Sequence, residues 1–286
     1  MKISDVKQII AISEKEWLYF SQLIERKVKE TLGSTMPFLH QKSTLQTISL
    51  YSLYPLMFRK EFQFEEKTLE NLIVFSHHHF TSLFILDNIY DTQSIEEPIE
   101  LLILLEQYAQ SMSFLNALEN KSDVNISGNI AKTLTGLYKE KYVYKPHEVL
   151  SPREEVQYTH DKYSFAKIAL KVYQERSENP LPNNIMEDLY RSHDFFAYGR
   201  QILDDLEDFK RDYENRQFNI YINRYFKKYG KEAIPHADED LFLDLLIEAK
   251  NNFNCAVKTL SYNFSYWVNY INFYLKICEK HININT

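Results

Sequence analysis

Glycine and proline are scarce in this chain, at 5 and 8 residues among 286. Strand-rich and doubly wound folds need many tight turns, so the scarcity favours long helices joined by few of them. Cysteine is scarcer still. Cys255 and Cys278 have no ligand spacing with other Cys or His, which argues against a disulfide framework and a zinc site and for a reducing compartment. Positive charge is in deficit, with a formal net charge of −7, so nucleic acid is not the expected partner. No apolar run approaches membrane-spanning length, and Met1 to Asp5 lack the apolar core of a signal peptide. A cytoplasmic protein without stable membrane insertion is the expectation.

What the chain does have is aromatic mass, with 21 Tyr and 19 Phe, arranged with helical periodicity. The pattern predicts helices over 5–32, 38–58, 66–91 and from Pro98 onward, a break at 33–37 and a polar loop at 120–129. Further helices are predicted over 130–145, 154–176, 184–214 with a break near Gly199, from the acidic stretch around Asp238, and over 250–281. Breaks fall at 146–152 and 178–182, and residues 217–229 are aromatic and basic. The run 66–91 is so apolar that it is expected to be central. With no repeat, linker or low-complexity tract, one all-α domain over 1–286 is expected.

Two acidic clusters interrupt this apolar background. Asp87-Asn88-Ile89-Tyr90-Asp91 ends the greasy run Leu83 to Leu86. Asp204-Asp205-Leu206-Glu207-Asp208 is followed by Asp212. Carboxylates four residues apart share one helix face. An uncompensated carboxylate in an apolar stripe is costly, so Asp87 needs a partner, either a cation or a cap or salt bridge at a helix end. Asp204, Asp208 and Asp212 lie opposite the apolar face of Ile202, Leu206, Phe209 and Tyr213, which also suits an ordinary solvated acidic face. Arg200, Arg211 and Arg216 nearby give the mixed charge that a metal-bound diphosphate wants. Oxygen-only ligands suit Mg²⁺, which commonly bridges one or two carboxylates to substrate phosphates.

Gln201-Ile202-Leu203-Asp204-Asp205-Leu206-Glu207-Asp208 resembles the second aspartate-rich motif of trans-isoprenyl diphosphate synthases, and Asp87-Asn88-x-x-Asp91 resembles the first, shared with class I terpene cyclases. Asp204, Asp208 and Asp212 match the spacing of the Asn-x-x-x-Ser-x-x-x-Glu ligands of microbial cyclases, and Lys167-Ile168 resembles the family's Lys-Thr diphosphate contact. The likeness spans residues 33 to 216. It implies a helical bundle around a central cavity, Mg²⁺ held by Asp87 and Asp91 on one wall and by Asp204, Asp208 and Asp212 on the other, and diphosphate held by Lys167, Arg200, Arg211 and Arg216. Relatives also form homodimers.

The chain departs from the elongating synthases. Gly33-Ser34-Thr35-Met36-Pro37-Phe38-Leu39 lacks the bases of their isopentenyl diphosphate site, and Thr92-Gln93-Ser94 replaces the Arg-Arg pair after the first motif. A cyclase, which binds one diphosphate, loses nothing by this, although its C-terminal Arg-Tyr pair is also missing, since no arginine follows Arg224. The expected activity is a terpene cyclase acting on an allylic prenyl diphosphate. A trans-prenyltransferase with an unusual acceptor and a non-catalytic partner subunit are the alternatives. His77-His78-His79 read as packed structural histidines, with His79 on the Asp87 stripe. The basic run Arg224 to Lys228 reads as a solvated helix end or a lid. Phe80, Phe84, Phe165, Phe196, Tyr198, Trp267 and Tyr270 read as core or as cavity walls.

Overall fold

A computed structural model describes residues 3–35, 50–92, 98–119, 126–144 and 149–285. The described residues are helical, with no strand among them. The chain divides into two compact units, each assembled from separate stretches of sequence. The first comprises 1–126, 169–181 and 264–267, and the second 127–168, 182–263 and 268–286. The first acidic motif therefore belongs to one unit and the second to the other.

The first unit begins with α1 (Ile3–Ile9) and α2 (Glu14–Thr35). These replace the single helix expected over 5–32. Ala11 turns into the left-handed region at φ 47°, and Ser13 then caps α2, its backbone N–H donating to Glu16 Oε2 while its hydroxyl accepts from Glu16 N–H. Of the helix expected over 38–58, residues 38–49 lie outside the described residues, as do 36 and 37 of the 33–37 break. The remainder is two short turns, α3 (Tyr54–Met57) and α4 (Arg59–Phe62). α5 (Glu66–Thr92) is central, as its composition predicts, and packs on α2, α3 and α6 (Pro98–Glu119). Leu72, Ile73, Phe75, Phe80 and the three histidines are all buried. Phe75 stacks on Phe114 at 4.9 Å and on His79 at 5.4 Å. The Ser76 and Tyr173 hydroxyls share a 2.6 Å hydrogen bond.

The second unit opens with α7 (Ile126–Tyr138), which starts inside the expected 120–129 loop, whose residues 120–125 lie outside the described residues. α7 gives way to a π-helical turn over Lys139–Val143. The 146–152 break also falls partly outside the described residues, which resume at 149. Next come α8 (Pro152–Lys162), opened by a Ser151–Glu154 capping box, and α9 (Ser164–Arg176), whose residues from Ala169 belong to the first unit. The helix expected over 154–176 is thus interrupted at Tyr163.

α10 (Asn183–Glu214) runs unbroken through Gly199. A Cβ there would lie 2.9 Å from the Phe253 ring, so the glycine serves a close approach and not a kink. α11 (Ile220–Tyr229) follows, and α12 (Glu239–Lys258), capped by Asp238, packs extensively along α10. α13 (Ser265–Asn285), whose residues through Trp267 belong to the first unit, is separate from α12, which corrects the continuous helix expected over 250–281; residues 259–264 turn between them.

Candidate functional site

In the first unit, Asp87 sits late in α5, half-buried behind the partly exposed Leu83 to Leu86. One of its carboxylate oxygens is shielded from solvent. Asp91 lies one turn further along the same helix, and its side chain is outside the described residues.

In the second unit, the middle of α10 divides its acids into two kinds. Asp204 and Asp208 are partly exposed, their side chains at 34% and 40%. Each faces an arginine of the same helix: Arg200 lies 2.6 Å from Asp204 and Arg211 2.7 Å from Asp208. Desolvation pushes the Asp204 carboxyl above the ordinary range, while the charges of Arg200 and Lys162 pull it back.

Asp205 and Asp212 turn inward. Asp205 accepts from the Gln201 amide at 2.7 Å and from the Ile220 backbone N–H at 2.5 Å. Asn219 donates to the Asp205 carbonyl and to Asp212 Oδ2, both at 2.9 Å, and its own oxygen caps α11 by accepting from Ile222 N–H. Burial drives the Asp205 carboxyl well above its usual range, with the Ile220 amide lowering it and Asp212 raising it further. The expected register of Asp204, Asp208 and Asp212 therefore splits. Asp212 is buried against the start of α11 instead of lying on the open side opposite the apolar face.

The other expected diphosphate contacts also lie in this unit. Lys167 on α9 forms an ion pair with Asp194 on α10. Arg216 is exposed and takes a left-handed φ of 57° where α10 ends. The basic run from Arg224 divides: Lys227 and Lys228 are exposed at the end of the helix, as a solvated end would be, but all three bases are held by carboxylates and none is a free lid. Arg224 grips Glu155 with Nε 3.0 Å from both oxygens and a terminal nitrogen at 2.6 Å, Lys227 adds a contact at 3.3 Å, and Lys228 pairs with Asp238. The Glu155 side chain is fully enclosed. Sequence reasoning missed Glu155 because it looks like a helix first-turn acid. The one available signal was Arg224 and Lys227 on one face of α11, which demands a counter-charge.

Six of the seven aromatics named as core or cavity walls pack on other rings within their own unit, and the seventh, Tyr198, hydrogen-bonds a carboxylate. Phe80 meets Tyr54 at 5.4 Å, Phe84 meets Tyr51 at 5.2 Å and Trp267 meets Phe58 at 6.2 Å. Phe196 meets Tyr270 at 5.0 Å, Phe165 meets Tyr163 at 5.6 Å, and Tyr198 donates to Glu248 at 3.0 Å. The three histidines are packed, as expected. His77 meets the Ser52 hydroxyl at 3.0 Å and His78 the Gln107 oxygen at 2.6 Å.

Among the described residues no three His, Cys, Asp or Glu side chains gather as a metal cage, and no helix is long and apolar enough to cross a membrane. Magnesium does not require a cage. It usually keeps several waters and takes one or two carboxylates plus substrate phosphates. Asp204 and Asp208, hard oxygen donors one turn apart on the open side of α10, fit that demand. No protein-family model, curated protein or solved structure matches the chain.

Proposed function

We propose that this chain is a class I isoprenoid synthase, a Mg²⁺-dependent terpene cyclase acting on an allylic prenyl diphosphate. The observation that carries the reading is the division of labour along α10. Two of its acids, Asp205 and Asp212, are consumed in fastening α11. Asp204 and Asp208 instead stay partly open, paired with Arg200 and Arg211 of the same helix. Asp87 and Asp91 form the second acidic set.

Arg200, Arg211 and Lys167 would exchange their present carboxylate partners for diphosphate oxygens, with Arg216 joining them. Mg²⁺, when bound, supplies charge neutralisation for the departing diphosphate. The side chains hold that anion in place and keep water from the allylic cation. Cyclisation is preferred to chain elongation because Gly33 to Leu39 and Thr92 to Ser94 carry no bases for a second diphosphate.

A specific observation favours a second reading. Arg200, Arg211 and Lys167 are each already paired with a carboxylate, as they would be in a helical partner subunit without chemistry of its own. Incubation with Mg²⁺ and geranyl, farnesyl or geranylgeranyl diphosphate, with and without isopentenyl diphosphate, tests both. A terpene hydrocarbon or alcohol from one substrate supports the cyclase. A product requiring isopentenyl diphosphate makes it a prenyltransferase. Failure to bind Mg²⁺ and diphosphate together leaves the partner subunit.

A further inference from the structure

The π-helical turn at the end of α7 has a consequence for the ridge on α10. In a continued α-helix the Tyr144 amide would bond the Glu140 carbonyl. In the π turn it reaches the Lys139 carbonyl instead, at 2.9 Å. The Glu140 carbonyl is thereby released, and the Phe218 amide ahead of α11 donates to it at 3.1 Å. π turns cost regular hydrogen bonding and recur at functional positions. This one presents the Glu140 side chain to two groups on α8: the Tyr158 hydroxyl donates to it, and the Lys162 ammonium lies 2.9 Å away.

Lys162 is held from behind as well. A Cβ on Gly136 would fall 2.4 Å from the Lys162 backbone nitrogen and 2.6 Å from its Cα, so α7 rests directly on the end of α8 at a glycine. The Lys162 and Glu140 side chains are only 14% and 11% exposed. α8 packs on α10, and the pair lies beside the acidic motif: the Lys162 charge acts on Asp204, and Glu140 acts on Asp205. A mostly enclosed ammonium that rests on a buried glutamate, and whose charge also acts on a partly open aspartate of the helix packed against it, is a cation with a choice of partner.

We propose that Lys162 is a further anion-binding residue of the Asp204 site, resting on Glu140 and turning to the oxygens of a magnesium-bound diphosphate. The inference rests on the diphosphate reading above. In it Glu140 is a positioning residue, which aims the lysine and competes with the ligand for its charge.

Calorimetric titration of the full chain with inorganic pyrophosphate in the presence of Mg²⁺ tests this. Lys162→Met is expected to weaken binding by about tenfold or more, the loss of one charge-assisted contact, and Lys162→Arg to recover most of it. Glu140→Gln keeps acceptors for Tyr158 and Lys162 but removes the competing charge, so pyrophosphate should bind more tightly by a few fold. A purely structural ion pair would not give that gain. Wild-type binding that neither Lys162→Met nor Glu140→Gln alters, or that Glu140→Gln weakens, overturns the role of Lys162 and leaves the diphosphate reading intact. If Lys162→Met loses its helical circular dichroism, the direction of the Glu140→Gln change decides alone. A wild-type chain that binds no pyrophosphate overturns both.

Discussion

Arg200 places its guanidinium 4.6 Å from the centre of the Tyr274 ring. The same side chain pairs with Asp204 at 2.6 Å, so the ring and the carboxylate together fix its position. Tyr274 is itself wedged between Phe253, Phe196 and Tyr270. Cation–π attraction at a partly desolvated site contributes about 1–2 kcal/mol, and loss of a packed ring adds to it. Tyr274→Leu should therefore lower urea-unfolding stability by about 2–4 kcal/mol. Tyr274→Phe, which keeps the ring, should stay within about 0.5 kcal/mol of wild type. Equal losses in the two variants would mean that the hydroxyl, not the ring, is what Arg200 needs.

Asp205 gives a second contrast. Asp205→Ala strips the partner from both the Gln201 amide and the buried Ile220 N–H, at a cost of about 3 kcal/mol. Asp205→Asn keeps an acceptor for Ile220, and Gln201 can turn its unpaired side-chain oxygen toward the new amide. Because the folded carboxyl holds its proton well above the ordinary pKa, the charged form is disfavoured in the fold. Its stabilising contribution is complete below the unfolded value and declines as pH rises through the raised one. Asp205→Asn should thus cost under about 1 kcal/mol at pH 7 and compare less favourably with wild type at pH 4. Denaturant midpoints at the two pH values decide; a loss at pH 7 equal to that of alanine refutes the argument.

How much of this was legible in the sequence depends on the range of the interaction. Helix content and the central place of α5 follow from scarce glycine and proline and from local periodicity. The breaks at Ala11, Tyr163 and 259–264 were hidden because no glycine or proline marks them. Ala11 takes a left-handed φ without being glycine, and Tyr262 and Tyr266 continue the helical spacing across a real interruption. The acidic register of α10 was readable, but the fate of its members was not. Asp205 is claimed by an amide 15 residues on and Glu155 by a guanidinium 69 residues on, and chain fold-back at that distance leaves no periodic trace.

Acid should destabilise the fold through its histidines. Burial lowers the pKa of His77 and of His193 to about 3; the nearby charge of His78 adds to it at His77, while at His193 a hydrogen bond with the Leu189 carbonyl works the other way. Unfolding returns both toward 6.5, so the unfolded chain binds more protons in between. The contribution is whole above about pH 6.5 and is lost as pH falls toward 3, by roughly 1.4 kcal/mol per pH unit for each histidine. Stability measured from pH 7 to pH 4 should carry that downward pull, offset in part by the opposite trend of Asp205, and His193→Gln should reduce the fall relative to wild type by about the share of one proton. A slope unchanged in the variant would show that His193 already carries its charge in the folded state.

Glu155 is a fully enclosed acid that depends on its partners. Its fully enclosed carboxylate takes Arg224, Lys227 and the Asn223 amide, and Tyr198 at 3.4 Å. Removing one partner of a buried ion pair leaves the other charge uncompensated, at about 3–5 kcal/mol, whereas replacing both with apolar groups of similar volume is often close to neutral. Glu155→Leu and Arg224→Met should each therefore be severely destabilising, and the double variant should recover at least about half of the summed loss. A double-mutant cycle in urea measures this directly, with Lys227 and Glu248 left in place. Additive losses would show that Arg224 already finds sufficient compensation from Glu248 at 3.6 Å, and that Glu155 is held by its other donors.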